Sequence, residues 1–160
     1  MNRQLTDRRA QLTLAALAVA LLGMLVPARH LVAQTQTVTV RDAWVREAAA
    51  GRAVTGAFMV IVNSGDTPRA LVRGTASVGD TLELHEMKRE DGMMRMSPVQ
   101  RIEIPAKGEA ALRPGGYHLM LFGLKAPLTA TDTVRFTLTL DDGSSVQVAA
   151  PVRSMQGRMP

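Results

Sequence analysis

Turn signals cut this chain at short intervals, and that spacing restricts its fold more than any other feature. Asn63-Ser64-Gly65-Asp66-Thr67-Pro68, Gly79-Asp80, Asp91-Gly92, Lys107-Gly108, Pro114-Gly115-Gly116, Ala126-Pro127 and Asp141-Asp142-Gly143 punctuate it. Glycine supplies positive φ, proline fixes φ, and Asp, Asn and Ser bond their own backbone, so each cluster reads as a turn. No long helix fits between them. The intervening runs, 37–46, 58–62, 81–87, 101–104, 117–122, 134–140 and 145–149, alternate in polarity or are rich in β-branched residues, the pattern of half-buried strands. Seven or more short strands at such intervals predict an all-β fold, an antiparallel sandwich or Greek-key barrel of about 120 residues. Aromatic residues make up only 3% of the chain, so Val, Leu, Ile, Ala and Met must fill the core. Residues 47–52 read as a single helical turn or a loop, and residues 154–160 as a flexible tail.

Residues 1–33 read as a signal peptide. Arg3, Arg8 and Arg9 give a positive start, and residues 12–26 form an apolar run whose only polar member is Thr13. Fifteen residues suit a signal peptide and fall short of the roughly 18–20 that a membrane span needs, so an uncleaved anchor is the minor alternative. Small-residue cleavage signals end at Ala28 and Ala33, and a mature start near Gln34 is expected. The domain then spans 34–153. Four Arg and one Asp leave with the signal, so the formal charge falls from +5 to +2. No dense basic stripe survives, which removes the compositional case for nucleic acid. No stable membrane insertion is expected after cleavage.

The chain has no Cys, which excludes disulfides, thiolate metal sites and cysteine nucleophiles. It has ten Met, eight of them beyond residue 33, and only two His beyond that point, His85 and His118. Met87 follows His85 by two residues and Met120 follows His118 by two, each pair on an expected strand, so each pair shares a face. In both strands leucines alternate with these residues, which places Leu84, Leu119 and Leu121 inward and both imidazoles outward. A lone outward His is ordinarily a solvated surface residue, and Met is ordinarily core filler. Met59 reads as core, Met93 and Met94 as filler or exposed loop. Asp91-Gly92-Met93-Met94-Arg95-Met96 reads as a Met-rich turn between the two His strands. Together, imidazole and thioether donors with no thiolate suit Cu(I), a soft ion that takes neutral ligands. A blue-copper electron carrier would need the missing Cys.

The spacing is His85, ten residues, Met96, twenty-one residues, His118-Leu119-Met120. In this, and in the blocks Asp42-Ala43-Trp44-Val45-Arg46, Leu84-His85-Glu86-Met87 and Pro114-Gly115-Gly116-Tyr117-His118-Leu119-Met120-Leu121, the chain resembles the PCu(A)C family of periplasmic copper chaperones over about residues 36–152. The resemblance implies a cupredoxin-like Greek-key β-barrel or sandwich and one Cu(I) held near the surface by His85, Met96, His118 and Met120. It implies a carrier rather than an enzyme, located in the periplasm. Delivery would go to the dinuclear copper centre of cytochrome c oxidase, with a thiol-bearing copper chaperone as a further partner. A monomer is expected. Copper tolerance, copper storage and a metal-free structural sandwich are the alternative readings. Some relatives carry a His- and Met-rich extension that adds a Cu(II) site; this tail offers only Met155 and Met159.

Overall fold

The computed structural model describes residues 37–154. The signal segment 1–33 and the tail methionines Met155 and Met159 lie outside the described residues. Ten strands follow in order: β1 (Val38–Arg46), β2 (Val54–Asn63), β3 (Arg69–Ala76), β4 (Thr81–Glu90), β5 (Met93–Pro98), β6 (Ile102–Ile104), β7 (Gly108–Leu112), β8 (Tyr117–Phe122), β9 (Thr133–Leu140) and β10 (Ser145–Arg153). The seven expected strands are all present. Three were not expected, β3, β5 and β7. The described residues contain no helix, and residues 47–52 form a loop pinned by a bridge between Ala48 and Leu128.

The hydrogen-bonded order is β5-β4-β8-β2-β1-β10-β9-β3-β6, with β7 also on β2. β8 and β7 lie end to end along one edge of β2, against residues 54–57 and 59–63 respectively. All pairings are antiparallel except a short parallel one, Val45 with Val152 and Arg46 with Arg153 in β1 and β10. The expected antiparallel pairing holds for every pair but this one. The parallel pair joins the β5-β4-β8-β2-β1 strands to the β10-β9-β3-β6 strands.

Alternation builds the core. Val134, Phe136, Leu138 and Leu140 point inward from β9, Ala57, Met59 and Ile61 from β2, and Leu119 and Leu121 from β8; all are essentially inaccessible to solvent. Met59 is core, as its setting in the sequence implies. The inward parity of β1 changes midway. Val38 is buried at an even position, but Ala43 and Val45 are buried at odd ones. The register explains this: Arg41 pairs with Val60 and Trp44 with Phe58, so β1 carries one residue more than β2 over that interval. The extra residue makes a β-bulge, with Asp42 at φ 55°. Without it, Trp44 would face the core.

Asp tolerates the left-handed region better than most residues, and a β-branched side chain there is strained by about 1–2 kcal/mol. Asp42→Val is therefore expected to lower the unfolding free energy by roughly that amount, and Asp42→Gly to leave it within about 0.5 kcal/mol. Urea denaturation midpoints check both. An unchanged midpoint for the Val variant would mean that the bulge does not depend on this residue.

Candidate metal centre

The site is built on the outer face of the sheet that holds β5, β4, β8, β2 and β1. Register fixes who meets whom. His85 is the cross-strand partner of His118, Leu84 of Leu119, Glu83 of Met120 and Leu82 of Leu121. On the other side of β4, Met87 pairs with Met96 and His85 with Pro98. On the other side of β8, Met120 pairs with Gly56. Residues two apart on a strand share a face, so Trp44, Phe58, His118, Met120, Glu83, His85, Met87, Met94 and Met96 all emerge on one surface.

Around the two imidazoles that surface is closed to water. His85 and His118 are each only 6% exposed, whereas a lone His on an outward strand face is ordinarily solvated. The alternation itself holds, since Leu84, Leu119 and Leu121 are buried on the inner face. What differs is that the outer face has its own cover. The bulge turns Trp44 outward, where its ring lies 4.5 Å from that of Phe58, and Phe58 in turn lies 6.3 Å from the His118 ring. Phe122 stands 6.1 Å from the His85 ring, and the two imidazoles are 5.9 Å apart, centroid to centroid. Gly56 keeps the wall close: a Cβ there would meet the Phe58 ring at 3.2 Å.

The hairpin that brings Met96 in is tighter than expected. The turn is Asp91-Gly92 alone, both residues at positive φ (52° and 81°), the conformation of a type I′ hairpin and the reason for the Asp-Gly pair. Met93 through Pro98 then form β5, the last strand of the sheet, every residue of it exposed. Met93, Met94 and Met96 are 59%, 54% and 48% exposed. They are strand residues rather than turn residues, and none is core.

Hydrogen bonds settle the His118 tautomer. Its Nδ1 lies 2.9 Å from the Gly116 carbonyl oxygen, which can only accept, so Nδ1–H donates. In the neutral ring Nε2 is then a bare lone pair, and it lies 3.3 Å from the Met96 Sδ. Two lone pairs facing each other at this separation do not make a hydrogen bond. One soft ion bound to both atoms, with metal–nitrogen and metal–sulfur bonds of about 2.0 and 2.3 Å, would hold them roughly 3.5 Å apart. Met120, Met87, Phe58 and Gly56 line the same open cleft, of about 680 Å³, with Arg46, Glu47 and Arg52 on its rim. His85 does not line that cleft. It sits behind it, against His118 and Phe122, with Nε2 2.9 Å from a Glu83 carboxylate oxygen. Its Nδ1 is the one buried side-chain nitrogen or oxygen without a hydrogen-bond partner among the described residues. Leaving such an atom unpaired costs about 1–3 kcal/mol. Sequence reasoning missed Glu83, whose signal was its position two residues before His85 on the same face.

Among the described residues no group of three or more His, Asp or Glu side chains is placed to hold a metal ion. The convergent donors are imidazole and thioether, a set that suits a soft, low-charge ion over zinc or magnesium.

Residues 38–152 match the LpqE-like lipoprotein family. The chain belongs to the LpqE-like family. It is 40% identical over 148 residues, 88% of each chain, to Lxx21020 of Leifsonia xyli subsp. xyli, which is also named as a lipoprotein. Among solved structures it is similar to apo-DR1885 from Deinococcus radiodurans, with 36% identity, TM-score 0.59, and coverage of 78% of this chain and 85% of that one. The copper form, CuI-DR1885, gives 33% identity, TM-score 0.52 and coverage of 74% and 81%. The copper-bound PCuAC domain from PmoF2 is similar in fold, with TM-score 0.62 at 19% identity over 74% of this chain and 93% of that domain. The LpqE-like chain thus has the all-β, cupredoxin-like fold of the PCuAC domains, as the family resemblance implied.

The inner face of the site strands carries a separate polar cluster. Tyr117 pairs with Glu86, and Lys88 Nζ lies 2.7 Å from the Glu86 carboxylate. Burial, then the Glu86 charge, hold the Tyr117 phenol above its ordinary value of 10.0. The folded chain therefore keeps a proton that the unfolded chain releases, so this group's contribution to stability is lost as pH rises from about 10 through the folded value. Tyr117 is the only tyrosine in the sequence. Its tyrosinate absorbance is expected to appear at higher pH than in the urea-unfolded chain, and Glu86→Gln is expected to move it part of the way down. Coincident titrations of the folded and unfolded chains would contradict this environment.

Proposed function

We propose that this chain is an exported copper carrier that holds one Cu(I) ion through His85, Met96, His118 and Met120 and passes it to a partner protein. One observation carries the reading: Nε2 of His118 lies 3.3 Å from the Met96 sulfur, with the ring's other nitrogen already committed to the Gly116 carbonyl. A ligating histidine is ordinarily fixed in this way through its second nitrogen. Kinship with DR1885, one of whose structures is of its Cu(I) form, supports the choice of ion. Both donor types are neutral, so a Cu(I) site made of them would keep a single positive charge that an incoming thiolate can capture, one ligand replacing another.

The physiological acceptor in this reading is the dinuclear copper centre of cytochrome c oxidase, reached directly or through a thiol-bearing copper chaperone. Residues 34–153 are the working domain, released into the periplasm by removal of residues 1–33. The relative Lxx21020 is named as a lipoprotein, but these 160 residues contain no Cys, so they offer no thiol for a cysteine-linked lipid. The protein does its work as a carrier and not as an enzyme.

Anaerobic titration against a chromogenic Cu(I) chelator is expected to give one ion per chain. Met96→Ala and His118→Ala should each weaken it by at least about tenfold, and Met155→Ala scarcely at all. Unchanged affinity in the His118→Ala variant removes the four-ligand site. For delivery, the loaded domain mixed with a purified oxidase copper-centre domain should generate that centre's visible spectrum; retention of all copper by the donor rules out this acceptor.

A further inference from the structure

The unpartnered nitrogen of His85 asks for something the fold does not supply. The ring is almost wholly buried, yet only one of its nitrogens is satisfied, Nε2 by the Glu83 carboxylate at 2.9 Å. An ionised carboxylate can only accept, so Nε2 carries the proton, and in the neutral ring Nδ1 is a bare lone pair. His118 shows the opposite arrangement: there Nδ1–H is tied to a carbonyl and Nε2 faces the Met96 sulfur. The two rings face one another across β4 and β8 at 5.9 Å. Two imidazoles on one ion, each through a bond of about 2 Å, have centroids roughly 5–6 Å apart.

We infer that Glu83 is a positioning residue that fixes His85 as its Nε2–H tautomer, so that His85 binds copper through Nδ1 while His118 binds through Nε2. This rests on the Cu(I) reading above and deepens it. A carboxylate behind a metal-bound imidazole fixes the ring's orientation and raises its basicity. Here it has a further effect. Glu83 is 46% exposed at its side chain and, among the described residues, brings the one anion hydrogen-bonded to a candidate ligand; the matching group behind His118 is a neutral backbone carbonyl. The negative charge favours the more highly charged oxidation state of the ion, so it lowers the Cu(II)/Cu(I) potential of the site. The register gives Glu83 its place: it is the cross-strand partner of Met120 and lies two residues before His85 on the same face of β4.

Nitrogen-15 spectra of the full-length wild-type protein test this directly and need no variant. The apo protein is expected to show His85 as Nε2–H, and anaerobic Cu(I) loading to produce its large nitrogen shift at His85 Nδ1 and at His118 Nε2. A shift at His85 Nε2 overturns the assignment while leaving Cu(I) binding intact, and no stoichiometric copper uptake overturns the Cu(I) reading together with it. In a second arm, Glu83→Ala is expected to weaken Cu(I) by about 10–100-fold. Glu83→Gln, which keeps an oxygen acceptor but not the charge, should retain the tautomer, recover part of the affinity and raise the reduction potential. A merely structural Glu83 would leave the tautomer and the potential of both variants at wild-type values, and that result rejects the proposal.

Discussion

The register between β4 and β8 is the constraint on which the site depends. Leu84 opposite Leu119 and Leu82 opposite Leu121 set one face of the pair against the core, and the same register sets His85 opposite His118 on the other. A slip of β4 by one residue would carry His85 into the apolar interior and expel Leu84, leaving His118 without its partner. Leu119 and Leu121 are fully buried and Leu84 nearly so. Burying a leucine is worth about 1.5–3 kcal/mol. The hydrophobic effect on one face thus locks the geometry of the donors on the other.

The outer face gains its character from a defect in a neighbouring strand. The bulge at Asp42 inverts the parity of β1 and delivers Trp44 to Phe58, and Phe58 to His118. The result is an aromatic wall on one side of the imidazoles and an exposed methionine edge on the other. Fixed dipoles and walls of this kind position donor atoms without relying on solvent. Pure alternation would have left Trp44 in the core and His118 uncovered.

Much of this was legible in the sequence, for identifiable reasons. Strands with clean alternation, such as β9, and strands ended by Gly- or Asp-containing turns were readable because period and turn chemistry are local. The spacing of His85, Met96, His118 and Met120 was readable because it is a count. The unread parts depend on partners distant in the chain. β7, Gly-Glu-Ala-Ala-Leu, and β3, with Arg, Ala and Gly and a register shift between Leu71 and Arg73, have weak intrinsic strand preference and exist because β2, β9 and β6 pair with them. β5 reads as a turn because it is short, follows Asp91-Gly92 directly, lacks β-branched residues and buries none of its side chains. The burial of the two histidines was invisible because it requires Trp44, Phe58 and Phe122 to arrive from other strands, one of them only by way of the bulge. Glu83 was unread as a partner of His85 because charged residues on strand faces are common.

The donors do not stand on equally firm ground. His118 and Met120 ride on β8, which is clamped between β4 and β2, and His85 on β4, clamped between β8 and β5. Met96 rides on β5, which has one neighbour and no buried side chain. Local opening starts where backbone bonds are exposed and contacts few, so the edge hairpin frays long before the barrel does. An ion held by this set would therefore lose its thioether from β5 first and remain anchored to the two interior strands. In a carrier of the kind proposed, the residence time of the cargo would be set by the breathing of one six-residue strand.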